Sequence, residues 1–393
     1  MQVNPMDIRG LVLINSTRRD GAEEFVFPEL PPALLDVAGQ TPLQRAAEKL
    51  HHFGVSQVAA IIEGRAVPEG LENEMGAVQC TVASRQRFWR VAENTFNEMA
   101  QEGAELVLVV RLGTYAEIDF ERLVQFHLEH ASRVSQLHDG TVTLDVFCIS
   151  ASRRNDAASL FRSQLRRCRS ECPWLEHNGY VNPLATAADL RQFAIDILTL
   201  KTVTRPAGKE ERPGVWIAPG AQIEKGARLL APAFIGRQAK VRFGAVITRC
   251  SSVEHHAEVD CGTVVENSSI LPCSYVGAGL DLAHSVVGMG RVANLRRNAV
   301  VKIADGKLVG HIAVTSGRKL LGAVARMVTF LPKQVWHGLS GGNEVPRPEL
   351  SAASRPTPPK LGDAAGFQSP GCDTKAADEF AGNLAIARRY GNQ

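Results

Sequence analysis

The chain has no C-x-x-C pair and no Cys/His cluster with zinc spacing, although it carries eight cysteines in 393 residues. Zinc ribbons and fingers need ligands paired close in sequence, so neither is expected. Cys168 and Cys172 stand four apart on an expected helix, but no second pair lies near them. No apolar run reaches the roughly 18 residues that span a bilayer. No secretory leader is visible, so the thiols are expected to be reduced and the compartment cytoplasmic. An excess of charge of either sign is also missing. Lys and Arg total 44 against 41 Asp and Glu, a formal net charge of +3, which gives no general attraction to nucleic acid. What remains is a soluble globular composition, long enough for two domains and a tail.

The clearest positive feature is a repeat. Steps of six from Ile217 land on Ile223, Leu229, Ile235, Val241, Ile247, Val253, Val259, Val265 and Leu271. Four places after each aliphatic comes a small residue: Ala221, Ala227, Ala233, Ala239, Ala245, Ser251, Ala257, Thr263 and Ser269. A chain that turns a triangular corner every six residues points one bulky side chain per face into a narrow column. It needs a small residue near each corner, where the coil above would otherwise collide. The period predicts a left-handed parallel β-helix of hexapeptide repeats, of about four coils. After Leu271 the register slips by one, and Val276, Leu282, Val287 and Val292 close the run.

The first two hundred residues alternate strand-like and helix-like patterns, which argues for an α/β layer with a largely parallel sheet. Strands are expected over 10–14, 57–62 and 105–110, the last aliphatic enough to be central. Thr41 caps an expected helix with the face Leu43, Ala47, Leu50 and Phe53, stopped by Gly54. Further helices are expected over about 85–101, after Asp119 carrying Phe120, Leu123, Leu128 and Val134, and over 187–200. The resulting division is an α/β domain over 1–200, a linker at 201–214 and the β-helix at 215–303. Residues 304–339 follow as an amphipathic cap or surface helix, with a hairpin or cap at 304–310, and 340–393 as a flexible tail rich in Pro, Gly, Ser and Ala.

Three strings in the first domain carry a family resemblance. "LPPALLDVAGQTPLQRAAEKLHHFGVSQVAAII" (30–62) resembles the P-K-P-L-L-P-V-A-G-x-P-L segment of sugar-1-phosphate nucleotidyltransferases, with its following helix and strand. "ELVLVVRLGTYAEIDFERLVQFHLEH" (105–130) looks like the family's L-V-L-N-G-D strand and I-D-L-x-x-L helix start, through Ile118, Asp119, Phe120 and Leu123. "GYVNPLATAADLRQFAIDIL" (179–198) is similar to its G-Y-W-x-D-I-G-T-P-E-D-Y block. The resemblance covers roughly residues 8–300. It implies a nucleotide-diphospho-sugar transferase-like (Rossmann-like) domain followed by a left-handed β-helix, as in the mannose-1-phosphate guanylyltransferase group.

That family joins a nucleoside triphosphate to a sugar phosphate, which needs a phosphate cradle, a cation and carboxylates on magnesium. Set against those parts, the chain is short of them. The family's G-G-x-G-T-R-L loop reads "INSTRRDGAEE" here, with Gly21 alone for close backbone approach. Arg18 or Arg19 would have to supply the cation. The family lysine aligns with Pro32, and the two metal aspartates with Gly113 and Pro183, the latter beside Asn182. Asp119 is accounted for as a helix N-cap and Glu117 as a solvated turn residue. The expectation is a degenerate active site in a protein of nucleotide-sugar metabolism, with magnesium required only if catalysis survives. Implied partners are a nucleotide sugar or sugar phosphate and, as a homo-oligomer or hetero-oligomer, further copies or an active homologue.

Two rivals follow from the same residues. An active nucleotidyltransferase would use Arg18 or Arg19 with Glu117 at the metal. A hexapeptide-repeat acyltransferase would use a histidine base, for which His255, His256 and His284 are available, the first two expected on a solvated edge. A scaffold built on the flat faces and open coil ends is a third use. The basic stretch 315–338 has near-helical apolar spacing, suited to capping the coil or to peripheral contact with an anionic membrane.

Overall fold

In the computed structural model the described residues are 6–15, 25–27, 30–64, 78–140, 142–151 and 172–312. Arg18, Arg19, Gly21, Cys168, the stretch 315–338 and the tail from 340 lie outside them. No helix among the described residues is long and apolar enough to cross a membrane.

The N-terminal half is built on a seven-stranded sheet. Its strands are β1 (Ile8–Ile14), β2 (Val58–Glu63), β3 (Val78–Ala83), β4 (Leu106–Arg111), β6 (Val134–Asp139), β7 (Val142–Ser150) and β8 (Trp174–Glu176). A separate ribbon pairs β5 (Tyr115–Ala116) with β9 (Val181–Asn182). The sheet order is β3-β2-β1-β4-β7-β6-β8, and only β7 runs against its neighbours. Alternate residues of the central strands feed opposite faces, and both faces are covered. On one face α1 (Pro42–His52) and α3 (Phe120–Glu129) lay Leu43, Leu50 and Leu123 onto Val12, Ala60 and Leu108. On the other, α2 (Phe88–Gln101) lays Phe88, Phe96 and Met99 onto Leu11, Ile61 and Val109.

The helix limits follow local chemistry. At α1 the Thr41 hydroxyl accepts from the Gln44 amide while the Gln44 side chain accepts from the Thr41 amide, a reciprocal capping box. Gly54, at φ 99°, turns the chain out of the helix. Thr41→Ala is expected to cost about 1 kcal/mol in urea unfolding; an unchanged midpoint would mean that the cap is inert. Asp119 caps α3 by accepting from the Arg122 amide at 3.0 Å. Leu128, inside α3, faces solvent, and because α3 ends at Glu129, Val134 belongs to β6 and not to the helix expected to carry it.

From Val215 the chain winds as a three-sided coil of parallel strands. One face stacks Val215–Ile217, Ala233–Ile235, Ser251–Val253, Ser269–Ile270 and Ser285–Gly288. The second stacks Gln222–Ile223, Lys240–Val241, Glu258–Val259 and Ser274–Val276, and the third Arg228–Leu229, Val246–Thr248, Val264–Glu266 and Asp281–Ala283. Ile235, Val241, Ile247, Val253, Val259, Val265, Ile270 and Val276 fill the column, all fully buried. Ile223 is 37% exposed, because the first circuit has no coil beneath it.

The register departs from strict sixes earlier than the repeat implies. Val253 pairs in the ladder with Ile270, 17 residues on, so Ile270 and not Leu271 enters the column. The corner after Thr248 uses two left-handed residues, Arg249 and Cys250, whereas its successors use one each, Asn267 and His284. Each later circuit is one residue shorter as a result. Ser268, not Ser269, then takes the small corner place: its amide donates to Ser251 Oγ, and Ser285 N donates to Ser268 Oγ. Leu271 faces outward instead, into the core shared with α4 (Ala187–Leu198).

Antiparallel pieces finish the coil. A hairpin of Arg291–Asn294 and Ala299–Lys302 closes the first face, and Val309–His311 pairs with Ser274–Val276 on the second. The last hairpin thus lies before 304–310, while that segment supplies a capping strand. Sheet and coil belong to one compact unit. Their common core holds Phe27, Leu35, Tyr115, Leu190, Phe193, Phe234 and Leu271. The linker is a fixed strap between them, with Thr202 buried and the Ala207 amide donating to Ala38 O at 2.9 Å.

Candidate functional site

The strand order turns back on itself between β1 and β4, since β2 and β3 lie to one side and β7 to the other. In open α/β sheets, ligands bind in the crevice outside the carboxyl ends of the strands at such a point. Asn15 leaves β1 there and Arg111 ends β4. Arg111 Nε donates to Asn15 Oδ1 at 2.8 Å, and a terminal nitrogen lies 3.6 Å from the Asp145 carboxylate. The guanidinium sits 5.7 Å from the centroid of the Trp89 ring. A partly exposed cation with an adjacent indole can meet an anionic, ring-bearing ligand. Sequence reasoning passed over Arg111, which looks like the polar end of an apolar strand. Its place beside the reversal of strand order is the signal, and that needs the topology.

Gly113 and Pro183 come from segments seventy residues apart, yet the β5–β9 pairing puts them at the same end of one ribbon. In the β5–β9 ribbon Tyr115 pairs with Asn182 and Ala116 with Val181. Running that antiparallel register outward puts Pro183 and Gly113 at the same end of the ribbon, just past the end of β4. Neither carries a charged side chain. Asn182, beside them, is occupied structurally: its Oδ1 accepts from Leu184 N and its Nδ2 donates to Asp189 O, both at 3.0 Å.

Glu117 is not the solvated turn residue expected from sequence. Its side chain is 6% exposed, and its two oxygens accept from the Val203 and Thr204 amides at 2.8 Å each. Lys49 Nζ lies 3.7 Å away. Burial pushes its pKa up, but the Val203 and Thr204 donors and Lys49 outweigh that and hold it below the usual carboxylate range. Glu117 ties the strap to the sheet, so its lone pairs are committed. Among the described residues no three His, Cys, Asp or Glu side chains converge as a metal site would need.

His255, among the coil histidines, is also placed differently from expectation. His255 does not lie on a solvated edge. It faces the sheet half, where its Nδ1 is hydrogen-bonded to the buried Asp36 carboxylate. Burial alone would lower its pKa; Asp36 and Cys273 overcome this and raise it to about 10. Next to it, the buried Glu254 carboxylate accepts from the Ala38 and Gly39 amides, at 2.9 Å each. Burial, and then the like charge of Asp36, push Glu254 up to about 7, against the pull of those amides. Gly39 (φ 89°) has no room for a side chain: a Cβ would stand 2.6 Å from the Phe234 ring and 2.7 Å from Ala207 Cβ. His256 has its ring at 5.5 Å from that of His255, and burial followed by the His255 charge lowers its pKa. His284 Nδ1 is paired with Asn267 Nδ2 at 2.7 Å. His255 and His284 are hydrogen-bonded within the fold.

No protein-family model and no curated protein matches the chain.

Proposed function

We propose that the protein is a nucleotidyltransferase-like member of nucleotide-sugar metabolism that holds a nucleotide sugar or sugar phosphate without turning it over. Under this reading the sheet half is a Rossmann-like nucleotide-diphospho-sugar transferase domain and the coil a left-handed β-helix. One observation carries it. The two positions that the family resemblance picks out as metal-aspartate sites, Gly113 and Pro183, flank the same end of the β5–β9 ribbon, just past the end of β4. Two strings matched by chance would have no reason to lie side by side there. Since both positions lack a carboxylate, the magnesium clamp that stabilises charge on the transferring phosphoryl group has lost its two anchors. A nucleotide sugar bound at these strand ends would find Arg111 for a phosphate and Trp89 as an apolar platform.

The proposed setting is the cytoplasm. The partner is a further copy of the chain or an active homologue, joined through the coil faces. Isothermal titration with a panel of nucleotide sugars, with and without magnesium, tests the binding. Binding that does not depend on the metal, and weakens about tenfold or more in Arg111→Ala, is expected for the loss of one charge-assisted phosphate contact. Magnesium-dependent exchange of labelled pyrophosphate into a nucleotide sugar would overturn the silent site. Absence of any binding would overturn the assignment itself.

A further inference from the structure

The seam between sheet and coil brings together a thiol, an imidazole and a carboxylate from three distant parts of the chain. Cys273 stands one circuit above His255, its amide donating to the His255 carbonyl at 3.0 Å. That pairing sets the thiol near enough to the His255 ring to act on its charge. On that ring, Nδ1 is hydrogen-bonded to Asp36. Depth is graded along the row. The Asp36 side chain is 6% exposed and that of His255 21%, while Cys273 is only half-buried. A nucleophile at the surface, an imidazole behind it and a carboxylate that orients the imidazole is the arrangement used for covalent chemistry at sulfur. Cys148 offers contrast: it is fully buried, and burial pushes its pKa up to about 12.

We propose that Cys273 is a nucleophilic thiol that exchanges with low-molecular-weight disulfides, with His255 and Asp36 as its positioning and charge-balancing partners. The thiol loses its proton to water, and the sulfur attacks one sulfur of the incoming disulfide. A new S–S bond to Cys273 forms as the old one breaks, and the departing sulfur leaves with the electron pair as a thiolate. Negative charge is spread over three sulfurs in that transition state, and the His255 imidazolium lies beside it. Asp36 keeps the ring protonated and aimed. His256 flanks the ring, with Arg237 acting on it, and Glu254 and Arg45 lie on the buried side around Asp36. Nothing in this depends on the nucleotide-sugar reading.

The test treats the full-length protein near neutral pH with dithiobis(nitrobenzoate), following release of the coloured thiolate and mapping the labelled peptides by mass spectrometry. Cys273 is expected to be the fastest-labelled cysteine, and Cys273→Ser to remove the fast phase. His255→Asn should slow Cys273 labelling about tenfold or more by removing the neighbouring positive charge. A loosened seam would expose the thiol and speed its labelling, so the direction of change separates lost charge from lost structure. In Asp36→Asn the His255 ring-proton resonance should titrate at lower pH while Cys273 labelling slows. Labelling of Cys273 no faster than that of the other cysteines, or an unchanged or faster rate in His255→Asn, would overturn the proposal.

Discussion

Replacing Arg191 by alanine is expected to cost on the order of 2–3 kcal/mol in urea unfolding, because several buried and half-buried acceptors would lose a charged donor at once. Arg191 projects from α4 onto the corner column of the coil and is 2% exposed. One terminal nitrogen donates to Cys250 O at 2.7 Å and to Asn267 Oδ1 at 2.9 Å, while Nε reaches Asn267 O at 3.2 Å and the other terminal nitrogen Ser269 Oγ at 3.3 Å. Burial lowers its pKa to about 10, and it has no carboxylate hydrogen-bonded to it among those contacts. Its stabilisation comes from geometry: a planar fork spans two successive corners. Arg191→Lys should recover little of the loss, since a point charge cannot reach both carbonyls. Wild-type stability in Arg191→Ala would mean that the seam is held by apolar packing alone.

Unfolding free energy is expected to fall as pH rises from about 6.5 towards 10, by on the order of 3 kcal/mol, through His255. The sign follows from the raised pKa. The folded state holds the imidazole proton more tightly than the unfolded chain, so the full stabilisation is present below the ordinary histidine value. It is lost as pH climbs through about 10, where the folded group titrates. Glu254 acts in the same direction at lower pH: raised to about 7, it prefers its neutral form, and its ionisation weakens the fold between the usual carboxylate range and 7. Asp36→Asn removes the anion that raises His255 and should flatten the profile above about pH 6.5, although it lowers stability near neutral pH; the part of the Glu254 shift that comes from burial stays. Equal slopes for wild type and variant in urea unfolding at a series of pH values would count against the ion pair.

How much of this was legible in sequence depends on the range of the interaction. The aliphatic column from Ile235 to Val265 was visible because the constraint repeats every six residues. Thr41 and Asp119 were visible as caps because each bonds an amide three residues away. The slip before Ile270 was located too late, since only the corner dihedrals distinguish two left-handed residues at Arg249 and Cys250 from one at Asn267. Glu117, His255 and Arg191 were missed for a common physical reason. Glu117 meets the strap 86 residues away, Arg191 meets Asn267 after 76, and His255 meets Asp36 after 219. A charged residue in such a place looks like ordinary surface until the element opposite is known. The candidate site was half legible. The strings pointed to residues 113 and 183, but setting them at one ribbon end required the β5–β9 register, and Arg111 required the strand order.

Because Phe193 and Leu190 on one side and Phe234 and Leu271 on the other fill a single hydrophobic interior, the two halves are poor candidates for separate life. A protease nick within 201–214 should leave a particle that still migrates as one. Halves produced from separate genes would each carry a greasy scar where the other belongs, and would be soluble only when made together.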